Sequence, residues 1–224
     1  MEPASQPRIK ICCIASRAEA RLAIDAGASA LGLVGAMPSG PGIIPDEAIA
    51  EIALSVPPPI ATFLLTSEQS ADRIAAHHRR VRTTAIQMVD RLTRGTYADL
   101  RRELPGTKLV QVVHVTGPES LDEAVSLAEH VDALLLDSGR PDMPVKELGG
   151  TGRGHDWTIS RRIREEVEIP VFLAGGLHAG NVRPAIEEVG PFGLDVCSGV
   201  RSGGALDPTR LLAFCKAAGI SHSI

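Results

Sequence analysis

Cys12 and Asp137 are the two side chains in this sequence best suited to moving a proton. Cys12 stands beside Cys13 at the end of an apolar run, Lys10-Ile11-Cys12-Cys13-Ile14. Asp137 follows three leucines in Leu134-Leu135-Leu136-Asp137. A carboxyl at the edge of an apolar core loses hydration, which raises its pKa and keeps it protonated as a general acid. A thiol across a cavity from it would complete an acid and base pair. Read alone, the pattern also fits a plainer account in which Asp137 caps a turn and both cysteines are core, because a free cysteine is usually a small buried hydrophobe. Neighbouring strand residues point to opposite faces, so one cysteine is expected at a cavity mouth and the other against a helix.

A second cluster suits an anion. The strand-like run Pro170-Val171-Phe172-Leu173-Ala174 ends in Gly175-Gly176, and about twenty residues later Leu194-Asp195-Val196-Cys197 ends in Ser198-Gly199. Two successive strand ends followed by small residues leave backbone N–H groups free to converge on a phosphate. In a barrel of alternating strands and helices, a phosphate site is found after strands 7 and 8. Asp195, near the last strand end, would either bond a ribose hydroxyl or cap the strand. The chemistry implied is acid–base work on a small phosphorylated metabolite.

Alternating apolar strands and amphipathic helices position these residues. Strands are expected at Arg8–Ile14, Ala30–Val34, Ile60–Leu65, Thr84–Val89, Lys108–Val115, Ala133–Leu136, Pro170–Ala174 and Leu194–Cys197. Helices are expected at Arg17–Ala26, Pro45–Leu54, Ser67–Arg79, Thr96–Leu104, Pro118–His130, Asp156–Val167, Ala179–Val189 and Pro208–Ala218. Continuously apolar strands are buried on both faces, as in a parallel sheet covered by helices. Eight such units predict an α/β fold, a (β/α)8 TIM barrel occupying residues 1–224 as one domain. A flavodoxin-like or Rossmann-type sheet is the alternative, weakened by the unit count and by the lack of G-x-G-x-x-G after the first strand. The irregular stretch from Ser138 to His155 holds Gly139, Gly149, Gly150, Gly152 and Gly154. A loop this long after the sixth strand reads as a cover over the substrate, with an irregular insertion as the alternative.

Composition removes other classes of function. The chain has 224 residues, 44% hydrophobic and 22% charged, which is ordinary for a globular α/β domain. Aromatics are only 3%, too few for a base-stacking platform, and the net charge of −4 gives no basic surface for nucleic acid. No apolar run approaches the ~20 residues of a membrane span. The segment Met1–Pro7 lacks the apolar core of a signal peptide. The four cysteines fit no zinc spacing and read as reduced thiols. A cytoplasmic protein without nucleic-acid or membrane partners is therefore expected, with no metal and no cofactor.

The order and spacing of several motifs resemble the phosphoribosylanthranilate isomerase family, from Lys10 to about Phe214. The resemblance rests on Lys10-Ile11-Cys12, Asp25-Ala26-Gly27-Ala28 with Ala30-Leu31-Gly32, and Asp132-Ala133-Leu134-Leu135-Leu136-Asp137. It continues through Gly149-Gly150-Thr151-Gly152, Asp156-Trp157, Leu173-Ala174-Gly175-Gly176-Leu177 with Asn181-Val182, and Asp195-Val196-Cys197-Ser198-Gly199-Val200. It implies a single-domain barrel enzyme of tryptophan biosynthesis, monomeric or homodimeric. The implied reaction is an Amadori rearrangement of an N-phosphoribosyl aldosylamine to an aminoketose, by acid–base chemistry alone. Asp137 would be the acid and Cys12 the base. Gly175, Gly176, Ser198 and Gly199 would hold the phosphate, with Asp195 and Gly150 completing the substrate site.

Four departures from the family pattern leave the acid, the base and the phosphate cradle in place, and what is lost lies where the aromatic acid would bind. Cys13 stands where glycine is usual after the catalytic thiol. The segment Pro38-Ser39-Gly40-Pro41-Gly42-Ile43 lacks the arginine expected near the anthranilate carboxylate. Gln87-Met88-Val89-Asp90 lacks a histidine, and Arg201 replaces a glutamate. Losing a charged hydrogen bond of ~1.5–3 kcal/mol would weaken anthranilate recognition. Arg201 could restore the charge from the other side of the mouth; a paralogue that turns over, or only binds, another phosphorylated sugar derivative is the alternative.

The remaining polar residues are less informative. His77, His78, Arg79 and Arg80 complement a helix C-terminus. His114 is either a core histidine or a mouth residue, and His155 and His178 flank loops that could meet ligand. Trp157 is expected in outer packing, and Arg161, Arg162, Arg164, Glu165 and Glu166 on a solvated helix face.

Overall fold

Eight parallel strands close on themselves in chain order, each neighbour pairing with the next and the eighth with the first. The computed structural model describes residues 6–38, 40–139 and 155–220. The strands are β1 (Arg8–Ile11), β2 (Ala30–Val34), β3 (Ala61–Thr66), β4 (Ala85–Met88), β5 (Lys108–His114), β6 (Ala133–Asp137), β7 (Val171–Leu173) and β8 (Gly193–Val196). Between them run α1 (Arg17–Asp25), α2 (Asp46–Ser55), α3 (Ala71–Val81), α4 (Tyr97–Glu103), α5 (Glu119–Ala128), α6 (Trp157–Glu166) and α7 (Val182–Val189). A short hairpin, β9 (Arg201–Ser202) with β10 (Ala205–Leu206), precedes α8 (Pro208–Ala217). The (β/α)8 expectation is met, and the open doubly wound sheet is excluded by the β1–β8 pairing.

Strand alternation splits the apolar residues into two cores. Residues facing outward from the strands, such as Ile9, Ile11, Leu31, Leu33 and Leu64, meet the helices. Those facing inward, such as Ala30, Phe63, Val110, Val112, Leu135 and Phe172, fill the barrel. Phe172 packs edge-on against both Phe63 and Phe192, with ring centroids 5.9 and 5.5 Å apart. The barrel interior is thus packed solid below its mouth, as the layered filling of such barrels requires. Several helices start on side-chain caps: Ser16, Thr96, Asp156 and Asp207 each accept a backbone N–H of the first turn.

The clearest boundary difference is at β1, expected to reach Ile14 but ending at Ile11. Cys13 has φ of 62°, a left-handed conformation that terminates the strand. The strand after Asp132 runs one residue further than expected and takes Asp137 into the ladder opposite His114. At the other end of the chain, β8 turns into a single 3-10 turn, Ser198–Val200, and the β9–β10 hairpin follows. No apolar periodicity marks such short pieces, and neither was expected. Among the described residues, no helix is long and apolar enough to cross a membrane.

Candidate active site

The C-terminal ends of the strands surround an open cavity. Cys12, Asp137 and Asp195 line it, from β1, β6 and β8. Gly175, Gly176 and Ser198 line it as well, so six of the residues singled out in the sequence share one space. Gly199 lies behind this wall: a Cβ there would collide with the carbonyl oxygen of Leu177, so only glycine lets the turn after β8 close against the loop after β7. Gly150 lies outside the described residues, as do Gly149, Gly152 and Gly154 of the expected cover. Among the described residues, no acceptor takes the backbone N–H of Gly175, Gly176, Ser198 or Gly199. Gly175 and Gly176 have φ of 83° and 64°, a double left-handed turn that directs successive amides to one side.

Burial pushes the Asp137 carboxyl above the usual carboxylate range. The Ser138 amide, 2.8 Å from Oδ1, and His114 oppose that push, and the neighbouring Asp195 adds to it. The raised value is the property a general acid needs near neutral pH. His114 itself is fixed as a core histidine, its Nε2 3.0 Å from the carbonyl of Val89 and its Nδ1 without a partner.

Sequence reasoning missed the role of Lys10. Its side chain is wholly buried inside the barrel, with Nζ 2.8 Å from Oδ1 of Asp195. Burial alone would lower its pKa, but the charge and hydrogen bond of Asp195 together with the neighbouring Cys12 and Cys13 outweigh that and hold the ammonium protonated. The ammonium also lies 5.3 Å from the Phe63 ring centroid, a cation over an aromatic face. A Cβ on Gly32 would sit 2.9 Å from both the Lys10 Nζ and the Cys12 Sγ, so the ammonium and the thiol are close neighbours. The sequence signal was a lysine two residues before Cys12 in an apolar strand, on the same face by strand alternation. Asp195 is therefore neither a simple strand cap nor free: it is an ion-pair partner with its other side open to the cavity.

Cys13 does not turn toward a helix as alternation implied. Its left-handed backbone breaks the pleat, and both Cys12 and Cys13 line the cavity. The Cys13 sulfur lies 2.8 Å from that of Cys197 and 3.6 Å from the carbonyl of Pro41.

Arg201 does not supply charge to the mouth. Its guanidinium turns to Glu19 at 3.1 Å and to the backbone carbonyls of Cys12 and Cys13. Glu19 also accepts from the amides of Ala15 and Leu206, at 3.0 and 2.9 Å. Burial alone would raise the Glu19 carboxyl, but Arg201 and these amides bring it below its ordinary value. The Arg201–Glu19 pair thus pins the turn after β1 to the hairpin after β8.

The opposite wall, from β2 to β4, is apolar. Val34, Met37, Leu65 and Val89 line it, with Gln87 as its polar group, and the Gln87 Oε1 is buried without a partner among the described residues. Other histidines are accounted for locally: His77 pairs with Asp46, His78 with the Thr83 carbonyl and His155 with Ser160. Burial lowers the His155 pKa to about 4. His178 is exposed and accepts from the Gly180 amide. Trp157 is half-buried at the start of α6 against the outer core.

Residues 9–217 match the family model for N-(5'-phosphoribosyl)anthranilate (PRA) isomerase. The chain belongs to that family. It is 35% identical over 209 residues to N-(5'-phosphoribosyl)anthranilate isomerase 2 of Methanosarcina mazei, covering 92% of each chain. Among solved structures it resembles phosphoribosyl anthranilate isomerase from Thermotoga maritima, at 27% identity and a TM-score of 0.80 over 95% of this chain and 98% of that one. A further similar structure holds a phosphoribosyl anthranilate isomerase with reduced 1-(o-carboxyphenylamino)-1-deoxyribulose 5-phosphate, at 26% identity and a TM-score of 0.76, covering 95% and 98%. Family membership bears out the barrel and the isomerase class read from the motifs.

Proposed function

We propose that this member of the family isomerises N-(5'-phosphoribosyl)anthranilate by the Amadori rearrangement, as a step of tryptophan biosynthesis in the cytoplasm. The observation that carries the reading is the convergence of Cys12, Asp137 and the unpaired amides of Gly175, Gly176 and Ser198 on one cavity. In this account the amides, with Gly199 shaping their turn, hold the substrate phosphate. Asp137, protonated because burial disfavours its charge, donates to the ribose ring oxygen. The ring C1–O bond breaks and leaves a protonated Schiff base. Cys12, with the Lys10 ammonium beside its sulfur, removes the C2 proton and gives an enolamine. Proton return to C1, with loss of the C2 hydroxyl proton to the now ionised Asp137, yields the aminoketose. Asp195, braced by Lys10, presents its free oxygen to the ribosyl chain.

The anthranilate ring fits the apolar wall of Val34, Met37, Leu65 and Val89. No cationic side chain lines the cavity among the described residues. That single observation favours a second reading, in which the N-substituent of the aldosylamine is a less acidic group than anthranilate. Steady-state turnover of N-(5'-phosphoribosyl)anthranilate separates the two. The first reading expects conversion to the aminoketose, with turnover lost in Cys12→Ser and Asp137→Asn. No conversion, with conversion of another phosphoribosyl aldosylamine, gives the second.

A further inference from the structure

Cys13 and Cys197 approach each other from opposite ends of the chain. Cys13 follows β1, Cys197 follows β8, and their sulfurs are 2.8 Å apart. That is closer than unbonded sulfurs pack, and only about 0.8 Å longer than a disulfide bond. The approach is held from three sides. Cys13 sits in a left-handed turn with φ of 62°. Gly42 lies so close that a Cβ there would strike the Cys13 Cβ. Arg201 grips the carbonyls of both Cys12 and Cys13. Both sulfur-bearing residues line the open cavity, so a small solute that enters it reaches them. The acid–base chemistry proposed above uses neither thiol.

We propose that Cys13 and Cys197 are a peroxide-reactive dithiol that closes reversibly to a disulfide and switches the site off. The pair is polarised for this. The contact with Cys13 lowers the Cys197 pKa against burial, helped by the charge of Arg201. The contacts of Cys13 with Cys12 and Cys197, and then its burial, push Cys13 up. Cys197 is thus the attacking sulfur and Cys13 keeps the proton. The Cys197 thiolate attacks one oxygen of hydrogen peroxide; an S–O bond forms, the O–O bond breaks, and hydroxide leaves to become water. The Cys13 sulfur then attacks the Cys197 sulfur; an S–S bond forms, the S–O bond breaks, and the oxygen leaves as a second water. Two thiols and one peroxide give one disulfide and two waters, and a dithiol reductant reverses the change. The bond draws the turn carrying Cys12 toward the turn carrying Ser198. It therefore displaces the proposed base relative to the phosphate amides, and a shift of an ångström in such geometry can cost about 100-fold in rate.

The test treats the whole protein with hydrogen peroxide, blocks remaining thiols with an alkylating reagent under denaturing conditions, and maps the peptides by mass. The expected product has lost two hydrogens and joins the Cys13 and Cys197 peptides. Its turnover falls about 100-fold and returns with dithiothreitol. Cys13→Gly, which suits the left-handed turn, and Cys197→Ser should each remove the link and the peroxide-dependent drop relative to the same variant untreated. Linkage through Cys12, irreversible oxygen addition to Cys12, or no mass change overturns the proposal. A Cys13–Cys197 link without loss of turnover overturns the switch. The link is read by mass alone, so its failure is distinguishable from failure of the assigned isomerase activity.

Discussion

From β6 round to β1 the cavity wall is ionic and tied down, whereas from β2 to β4 it is apolar around one unpartnered amide. On the first side, Lys10 and Asp195 form a buried ion pair and Arg201 with Glu19 clamps two turns together. On the second, Val34, Leu65 and Val89 offer surface and Gln87 offers a buried oxygen without a partner among the described residues. The contrast follows from what each side is asked to do. Groups that move protons or hold a phosphate need fixed charges and fixed amides, and those need partners of their own. A wall that receives a flat apolar group needs only shape. The departures from the family pattern divide along the same line. The missing arginine and histidine belong to the apolar side. Cys13 and Arg201 lie on the ionic side, where they fasten the turn after β1 rather than meeting the cavity as new charges.

The comparison is broken most severely by removing its proton carriers. Cys12→Ser and Asp137→Asn are each expected to reduce kcat by about 10²–10⁴-fold, the usual contribution of a general acid or base. Both variants should keep the wild-type denaturation midpoint within a small margin. The next largest effect is on stability. Lys10→Met leaves the Asp195 carboxylate buried without its cation, and chemical denaturation should show a loss of about 3–5 kcal/mol. The apolar side answers differently. Gln87→Leu removes an unsatisfied buried oxygen, so unfolding free energy should rise by about 1 kcal/mol while KM increases more than kcat falls. A loss of stability there would mean the amide is bonded and the two walls are less distinct. The smallest effect is at Glu19, whose partly buried carboxyl keeps some contact with solvent and is therefore partly screened. Its carboxyl lies below its ordinary value of 4.5 in the folded chain, so it adds stability above that pH and loses it as pH falls further. Glu19→Gln should therefore lower stability across the neutral and alkaline range and flatten the acid side of a stability-against-pH curve.

The barrel was legible because its signals repeat. Eight apolar strands and eight amphipathic helices each carry the same information, so an error of three residues at Ile14 or of one at Pro170 leaves the architecture intact. The cavity-lining positions of Cys12, Asp137, Gly175, Gly176 and Ser198 were legible too, because strand ends of a barrel face one mouth. What the sequence concealed depends on side chains meeting across the barrel. Lys10 and Asp195 are 185 residues apart and join only when β1 closes on β8. The Cys13 turn was concealed for a different reason. A left-handed backbone at a non-glycine residue is uncommon, so alternation sent only one of the two cysteines to the cavity whereas both line it. Arg201 was misplaced because the hairpin that redirects it spans only six residues, from Arg201 to Leu206.

The most direct measurement is a crystal structure of this protein with reduced 1-(o-carboxyphenylamino)-1-deoxyribulose 5-phosphate bound. The account predicts the phosphate on the amides of Gly175, Gly176 and Ser198, with the Cys12 sulfur and the Asp137 carboxyl both in contact with the C1–C2 region of the ribulosyl chain. A ligand seated with its phosphate elsewhere, or with either side chain out of reach of those carbons, would contradict it.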